Sequence, residues 1–380
     1  MPFTAEHDAL RESIRAFVTK ELRPHAEQWE HDEWFADWVF PRMGELGLLG
    51  LRYPEQYGGQ GGDYFSALVL SEEMAGCGSG GVGMAVAVQT EMATPPIFKF
   101  GTEAQKQQYL VPAIAGRKVA ALGITEPDAG SDVAGIRTRA DRVDGGWRIN
   151  GAKTFITNGV RADFIVLVCR TGAQEDGARA ITLFLVDKGL PGFAVSRKLK
   201  KMGMHASDTA ELSFTDVEIS DGAVLGEVNA GFYHLMWELQ GERLIGAAGA
   251  VAGADLCLQE TLRYVKERHA FGRPIAGFQV TRHKLVDMAT DIALVKSFIY
   301  QLAERWDRGD YPVAEISMAK LAAGQMATRV ADGCLQLFGG MGYMDEVPVS
   351  RHYRDSRLIR IGAGTDEVMK EIIAKTALGL

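Results

Sequence analysis

The first 120 residues repeat apolar positions at helical spacing. Ile14 and Phe17 lie on one face of a helix that Thr4 can cap. Small apolar residues dominate 63–89 and permit helices to approach closely. The pattern predicts an N-terminal all-α domain over residues 1–120.

The period of the pattern changes in the middle of the chain. Short apolar runs rich in β-forming residues occur at 164–168 and 181–186, and glycine and proline at 189–192 punctuate them. Such spacing is typical of a β-sandwich or β-barrel. We therefore predict an antiparallel β domain over residues 121–225.

Helical periodicity returns at Gly231 and continues towards the C-terminus. The long amphipathic segments are 231–267, 281–306, 313–337 and 366–378. Four such segments predict a four-helix bundle over residues 226–380. The fold class is then α+β, with the β domain between two helical domains.

Composition narrows the possible partners. The chain has 380 residues, with 41 Lys plus Arg against 49 Asp plus Glu, which gives a net charge of −8. This acidic balance, without a basic run, argues against nucleic acid. No apolar run reaches the roughly 18 residues of a membrane span. The N-terminus shows no basic targeting segment.

The cysteines and histidines follow no ligand pattern. Cys77, Cys169, Cys257 and Cys334 occur singly in apolar surroundings, and the eight histidines are scattered. We expect no metal, no disulfide and reduced core cysteines. This usage predicts a cytoplasmic protein.

A polar loop joins the helical and β parts. It reads Gly-Ile-Thr-Glu-Pro-Asp-Ala-Gly-Ser over 123–131. Free backbone N–H groups and hydroxyls at a domain junction suit a cofactor, although a plain linker could have the same composition. No Gly-x-Gly-x-x-Gly motif follows a predicted strand, so a dinucleotide-binding βαβ unit is not expected.

Two long motifs resemble the signatures of the acyl-CoA dehydrogenase family. The first is 123–135, and the second is Gln-Leu-Phe-Gly-Gly-Met-Gly-Tyr at 336–343, followed at the family's spacing by Glu346, Arg351 and Asp355. Their order on the α–β–α pattern is highly specific, and the likeness covers essentially the whole chain. The Gly-Glu-Arg-Leu run at 241–244 is most similar to the long-chain and isovaleryl-CoA dehydrogenases.

The resemblance implies flavin chemistry on a thioester. Members of the family use FAD to remove the α-proton and the β-hydride of an acyl-CoA, which gives a trans-2-enoyl-CoA. They pass the electrons to an electron-transfer flavoprotein. FAD is shared between subunits, so the resemblance implies a homotetramer.

The base departs from the commonest family pattern. Many members carry Glu where this chain has Ala363, but the long-chain and isovaleryl types carry it in a Glu-Arg-Leu run, which here gives Glu242. Burial in an apolar acyl tunnel would raise the pKa of Glu242 by up to ~3–5 units towards a working base. The alternative is an ordinary surface ion pair. By resemblance, the thioester carbonyl meets a backbone N–H near Ala363.

Further residues are placed by the resemblance. Thr125 would bond the edge of the flavin, Phe155 would cover the ring, and Thr157 would lie near the hydride acceptor. The predicted cofactor-binding residues are Leu122, Ile124, Thr125, Gly130, Ser131, Phe155, Ile156, Thr157, Arg268, Phe271, Gln279, Gln336, Leu337, Gly339, Gly340, Thr365, Asp366 and Glu367. The predicted substrate-binding residues are Ser131, Arg243, Ala363 and Gly364.

Several of these positions have plain structural readings. Arg268 and Gln279 are expected to reach the FAD of a neighbouring subunit. The planar guanidinium of an arginine can bind two oxygens of a pyrophosphate. Alternatively, Arg268 could make a surface salt bridge. Phe155 could be a buried strand residue, and Thr365 could simply cap a helix. Arg243 could orient Glu242 or bind the adenine side of CoA.

Two other functions stay open from the sequence. One is an oxidase-like or desulfinase-like relative, although nothing follows Leu380 that could be the extra domain of an acyl-CoA oxidase. The other is a non-catalytic acyl-CoA or FAD scaffold, because Ala363 cannot take a proton. Gly241 and the glycines of 76–83 would leave room in the tunnel, which favours a long or branched acyl chain over butyryl.

Overall fold

The N-terminal part is helical, as predicted. The computed structural model describes residues 3–380. Its first helices are α1 (Ala5–Phe17), α2 (Ala26–His31), α3 (Val39–Glu45), α4 (Tyr64–Met74), α5 (Gly80–Ala87), α6 (Thr94–Phe100), α7 (Glu103–Gln105) and α8 (Val111–Ile114). Thr4 caps α1, because its hydroxyl accepts from the N–H of His7 at 3.4 Å. The π-helical segment Val88–Ala93 joins α5 to α6.

The central part is a mixed sheet. Its strands are β1 (Ala120–Gly123), β2 (Arg139–Val143), β3 (Gly146–Thr157), β4 (Phe164–Arg170), β5 (Ile181–Asp187), β6 (Phe193–Lys198), β7 (Thr209–Ser220) and β8 (Val224–Leu225). The order is β6-β7-β3-β2-β4-β5-β8, with β1 beside β4. Most neighbours are antiparallel, but β1 and β2 both pair parallel to β4. The antiparallel prediction therefore fails at β2 and at β1, the strand that follows the helical part.

The C-terminal part is again helical. It contains α9 (Gly231–Glu267), the short strands β9 (His269–Ala270) and β10 (Arg273–Pro274), and then α10 (Gln279–Asp307), α11 (Val313–Phe338), α12 (Pro348–Ser356) and α13 (Asp366–Ile373). Helices α9, α10 and α11 pack against one another. The α+β fold class is confirmed, whereas the exact domain boundaries stay predictions.

Helix α9 is the element on which all three parts meet. Its Leu244 and Ile245 share a buried core with Tyr64 of α4. Earlier on the helix, Leu235 and Leu239 share a second core with β4 and β5. The first half of α9 is therefore enclosed on several sides. Polar side chains there are held inside the protein rather than on its surface.

The glycines predicted to widen an acyl tunnel divide into two groups. A methyl group at Gly80 would lie 2.8 Å from the carboxylate of Asp355, and one at Gly81 would lie 2.7 Å from the backbone nitrogen of Ser207. These two glycines permit close packing, so the prediction of tunnel space at them is wrong. Gly241 is different, because a methyl there would meet only Trp306, at 3.8 Å.

The cysteines are free and buried, as expected. Among residues 3–380, no helix has the length and apolar character needed to cross a membrane.

Candidate active site

The first half of α9 carries an unusual set of buried polar residues. Glu238, Gln240 and Arg243 are 2–3% exposed, and Glu242 is half-buried beside them. Burial raises the pKa of the Glu242 carboxyl, although the positive charges of Arg243 and Lys320 oppose the shift. Glu242 makes no salt bridge at the surface in the described part of the chain. A half-buried carboxylate with a raised pKa can act as a base near neutral pH.

The loop before α13 is held against this group by two cations. Arg243 Nε donates to the carbonyl of Ala363 at 3.0 Å, and Lys320 Nζ donates to the carbonyl of Gly364. Ala363 has φ of +54°, which is uncommon for a residue with a side chain. Both carbonyls are therefore fixed from the bundle side, and the backbone of Ala363 is held in one conformation.

The side chain of Arg243 therefore binds another part of the protein. Its guanidinium is buried, and burial lowers its pKa while Glu242 and Glu238 raise it. Arg243 thus holds the loop at Ala363, and its expected roles towards Glu242 or the adenine side of CoA stay predictions. Thr365 accepts from the N–H of Val368 at 3.3 Å and caps α13.

We expect Arg243→Met to weaken the loop more than the fold. The variant loses a hydrogen bond from a charged donor to Ala363, which is worth about 1.5–3 kcal/mol. The rate with substrate should fall and KM should rise, because the backbone at 363 is no longer fixed. Steady-state kinetics and thermal unfolding would measure both effects. Arg263→Met, an exposed arginine on the same helix, is the matched control; equal effects from the two variants would contradict this assignment.

The 123–131 loop is anchored from beneath by a buried ion pair. Lys153 of β3 is fully buried and donates to the Glu126 carboxylate at 2.8 Å and to the carbonyl of Ile124 at 2.9 Å. Glu126 also accepts from the N–H of Arg137 at 2.7 Å and of Thr138 at 2.9 Å. These bonds fix the loop through the carboxylate of Glu126 and the carbonyl of Ile124.

A bulge in β3 presents an aromatic ring beside this loop. Phe155 has φ of +61° and is 68% exposed, although its strand runs through the sheet. The strand touches the loop directly, because the N–H of Thr154 donates to the carbonyl of Thr125 at 2.8 Å. The reading of Phe155 as a buried strand residue is therefore wrong. Ile156 does point inward, so its side chain cannot cover a ring and only its backbone could meet a cofactor.

A second group of predicted residues lies at the far end of the bundle. Arg268 follows α9, and Gly339 ends α11. Tyr264 connects the two ends, because its hydroxyl donates to the carbonyl of Phe338 at 3.2 Å and its ring stacks on that of Phe338. Arg268, Phe271, Gln279, Gln336, Gly339 and Gly340 are all exposed, and Leu337 is half-buried.

This second group is remote from Glu242 within one chain. Arg268 follows Glu242 by 26 residues along α9, which corresponds to about 39 Å at 1.5 Å per residue. Arg268 makes no salt bridge with the described residues, and Phe271 is 96% exposed. These features leave the group free to meet a ligand or a second chain, in keeping with the expectation of a shared cofactor.

The predicted residues fit FAD unequally. Leu122, Ile124, Thr125 and Thr157 are half-buried, and Gly130, Ser131 and Glu367 are exposed. Phe155 and the 123–131 loop, which are joined through the bond from Thr154 to Thr125, offer hydroxyls, backbone groups and one aromatic face, and these suit a flavin ring. Asp366 is more enclosed than these residues. One oxygen of its buried carboxylate accepts from Arg360 Nε at 2.8 Å, and the other has no partner among the described residues. Its role at the cofactor stays a prediction.

The sequence reasoning missed three buried polar residues around the site. Lys153 and Lys320 are each fixed by a backbone carbonyl of a functional loop. Glu238 lies one helical turn before Glu242. A carboxylate four residues before the predicted base was a detectable signal, since positions i and i+4 share a helix face. Among the described residues, no group of acidic, histidine and cysteine side chains could hold a metal.

The fold and this site define an α–β–α oxidoreductase, and three family models identify it further. They describe the N-terminal, middle and C-terminal domains of acyl-CoA dehydrogenase and match residues 4–117, 121–217 and 229–378. The chain belongs to the acyl-CoA dehydrogenase family and is an enzyme of that class.

Known relatives are similar along nearly the whole of this chain. The long-chain specific acyl-CoA dehydrogenase of Sus scrofa is 41% identical over 374 residues, 98% of this chain and 86% of the relative. The isovaleryl-CoA dehydrogenase of Solanum tuberosum is 39% identical over 96% of this chain and 89% of its own length. A crystal structure of an acyl-CoA dehydrogenase from Geobacillus kaustophilus matches with a TM-score of 0.97 and 42% identity, covering 100% of this chain and 99% of that one.

Proposed function

We propose that this enzyme uses FAD to convert a long-chain or branched acyl-CoA to its trans-2-enoyl-CoA, with Glu242 as the base. The observation that carries the proposal is the half-buried Glu242 carboxyl, whose neighbour in the chain, Arg243, holds the carbonyl of Ala363. Ala363 itself has no group that takes a proton. Glu242 is therefore the acidic side chain that we assign to the reaction.

We assign different roles in the reaction to the backbone of Ala363 and to the side chain of Glu242. The backbone N–H of Ala363 would donate to the thioester carbonyl and increase the acidity of the α-carbon. Arg243 and Lys320 hold its loop through the carbonyls of Ala363 and Gly364. Glu242 would then accept the α-proton, and the electron pair of that C–H bond would form the new double bond. FAD, when bound, supplies the acceptor for the β-hydride.

For the cofactor, we propose the surface around Phe155 as the flavin site. Thr125, Thr157 and the backbone of 122–131 would bond the ring, and Ser131 would face the CoA side. Arg268, Phe271, Gln279 and 336–340 would hold the adenosine end from a neighbouring subunit. That division requires at least a dimer, and we propose a homotetramer.

Electron-transfer flavoprotein is the proposed acceptor of the electrons. The exposed ring of Phe155 is the feature of this chain that could lie between the flavin and such a partner. The four free, buried cysteines favour a reducing compartment, so we propose a cytoplasmic location.

For the acyl chain, we propose a long or branched substrate. The relatives at 41% and 39% identity are named for long-chain and isovaleryl substrates. Space beside Gly241 supports the same assignment. Steady-state rates with straight C4–C16 and branched acyl-CoAs would test it, and highest kcat/KM for butyryl-CoA would contradict it.

The test of the function is anaerobic mixing of the purified protein with acyl-CoA. We expect bleaching of the flavin absorbance and formation of one enoyl-CoA per flavin. Turnover should then require electron-transfer flavoprotein. Rapid peroxide formation in air would show an oxidase instead, and no bleaching with any acyl-CoA would support the scaffold alternative.

A further inference from the structure

Glu238 is the most anomalous polar residue in the described chain. It lies on α9, one turn before Glu242, and is 2% exposed. Neither of its carboxylate oxygens receives a hydrogen bond from an N–H or O–H group of residues 3–380. An isolated buried carboxylate costs several kcal/mol, so the charged form needs a compensating partner.

The partner that the helix provides is another carboxyl. Glu238 and Glu242 are four residues apart on one face of α9, so their carboxyl groups can meet. An ionised carboxylate only accepts hydrogen bonds, whereas a protonated one can also donate. The contact can therefore be a hydrogen bond only if one of the two carboxyls carries a proton.

The surroundings decide which carboxyl holds that proton. Burial, followed by the charge of Glu242, raises the pKa of Glu238 well above its ordinary value. Burial also raises the pKa of Glu242, but Arg243 and Lys320 oppose that shift, and Glu242 is the more exposed of the two, so it is favoured as the ionised member. The charged and titratable groups that face this pair from the surrounding elements are Glu91 and Arg52, Arg243, Tyr311 and Lys320.

We propose that Glu238 is a positioning residue that stays protonated and donates its O–H to the carboxylate of Glu242. The bond fixes the side chain of Glu242 along the helix and stabilises its ionised form. Burial alone would leave the base protonated over a wider pH range. This proposal rests on the proposed role of Glu242 as the base.

The pH dependence of flavin reduction tests the hydrogen bond. In Glu238→Met the donor is lost, so the pKa of Glu242 rises and the acid limb of kcat/KM moves to higher pH. The shift should be about 1–2 pH units, the equivalent of one hydrogen bond to a charged group. Glu238→Gln keeps an N–H donor at the same position, so its acid limb should stay close to that of the wild type.

The opposite results would overturn the proposal. A shift of the acid limb to lower pH in both variants would show that Glu238 is ionised and repels Glu242. An unchanged limb in both would show that the two groups do not interact. A purely structural role would reduce rates without moving the limb.

Infrared difference spectroscopy gives a readout that needs no turnover. The C=O stretch of a buried protonated carboxylic acid should be present in the wild-type holoenzyme at neutral pH and absent from Glu238→Gln. Its absence from the wild type would overturn the proposal even if Glu238→Met does not fold. Glu242→Gln distinguishes the proposed function from this proposal. If that variant still reduces its flavin, Glu242 is not the base, but the protonation of Glu238 is not contradicted.

Discussion

Glu242→Gln should reduce the rate of flavin bleaching by acyl-CoA by roughly 10²–10⁴-fold, the usual contribution of a positioned general base. Glutamine keeps the shape of the side chain but cannot accept the α-proton. Because burial raises the pKa of Glu242, the wild-type rate should also fall as the pH drops through that raised value. Stopped-flow absorbance under anaerobic conditions measures both effects.

Glu242→Gln should slow proton abstraction without weakening the binding of FAD or acyl-CoA. FAD content, thermal unfolding and the spectral change on binding a non-reducible acyl-CoA analogue should all stay close to wild type. Glu260→Gln is the matched control, because Glu260 lies on the same helix 18 residues later, about 27 Å along the axis. Full turnover by Glu242→Gln would remove Glu242 from the mechanism. Loss of turnover in both variants would indicate damage to α9.

Much of the helical fold can be predicted because the long helices are amphipathic. Helix α9 begins and ends at the predicted residues, and α10 begins only two residues before its predicted start. The parallel pairing of β1 could not be predicted from the sequence, because a strand of four residues carries too few side chains to specify its neighbour. The π-helical turn at Val88–Ala93 is equally hidden, because it continues a helical pattern without a break.

The site was predictable only where a motif marks it. Glu242 follows from the Glu-Arg-Leu run and the alanine at 363. Lys320 lies 44 residues before the carbonyl it binds, and no local pattern links the two. A lysine on an otherwise apolar helix face could as well extend its amine to solvent. Tertiary packing, not sequence spacing, decides that this lysine turns inward.

The contacts of the Asp366 carboxylate could not be predicted for a related reason. Acidic residues in the first turn of a helix are common, and the motif alone could not show where the carboxylate points. In the structure Arg360, six residues earlier, takes the carboxylate of Asp366, and Thr365 caps the helix. Glu367 stays exposed at the next position.

Lys153→Met should cause the largest loss of stability of any single change considered for this chain. It removes the cation from a buried pair and leaves Glu126 inside the protein, which typically costs about 3–5 kcal/mol. Burial raises the pKa of Glu126, but Lys153 and the bonds to Thr138 and Arg137 lower it further, so its net pKa lies below the ordinary value. Without Lys153, burial is opposed only by the bonds to Thr138 and Arg137, so the variant must either bury an unpaired carboxylate or protonate it.

The damage should appear first at the cofactor. Lys153 holds the carbonyl of Ile124 as well as Glu126, so the 123–131 loop loses two anchors at once. We expect the melting temperature to fall by roughly 5–10 °C and FAD to be lost on gel filtration. Differential scanning calorimetry, with and without excess FAD, measures the two effects. Because the folded-state pKa of Glu126 is depressed, the difference from wild type should shrink as the pH falls through it.

Strand β3 supplies its own control for this experiment. Arg148 lies on the same strand as Lys153 and pairs at 2.9 Å with Glu218 of the neighbouring strand β7. Both side chains are largely exposed, so Arg148→Met should change neither measurement. In the double variant Lys153→Met with Glu126→Gln, the abandoned group is neutral, so part of the lost stability should return. If Lys153→Met has the same melting temperature as Arg148→Met and keeps its FAD, the buried pair does not hold the loop. The flavin surface must then be supported from the helical side, through Val88–Ala93 and β1.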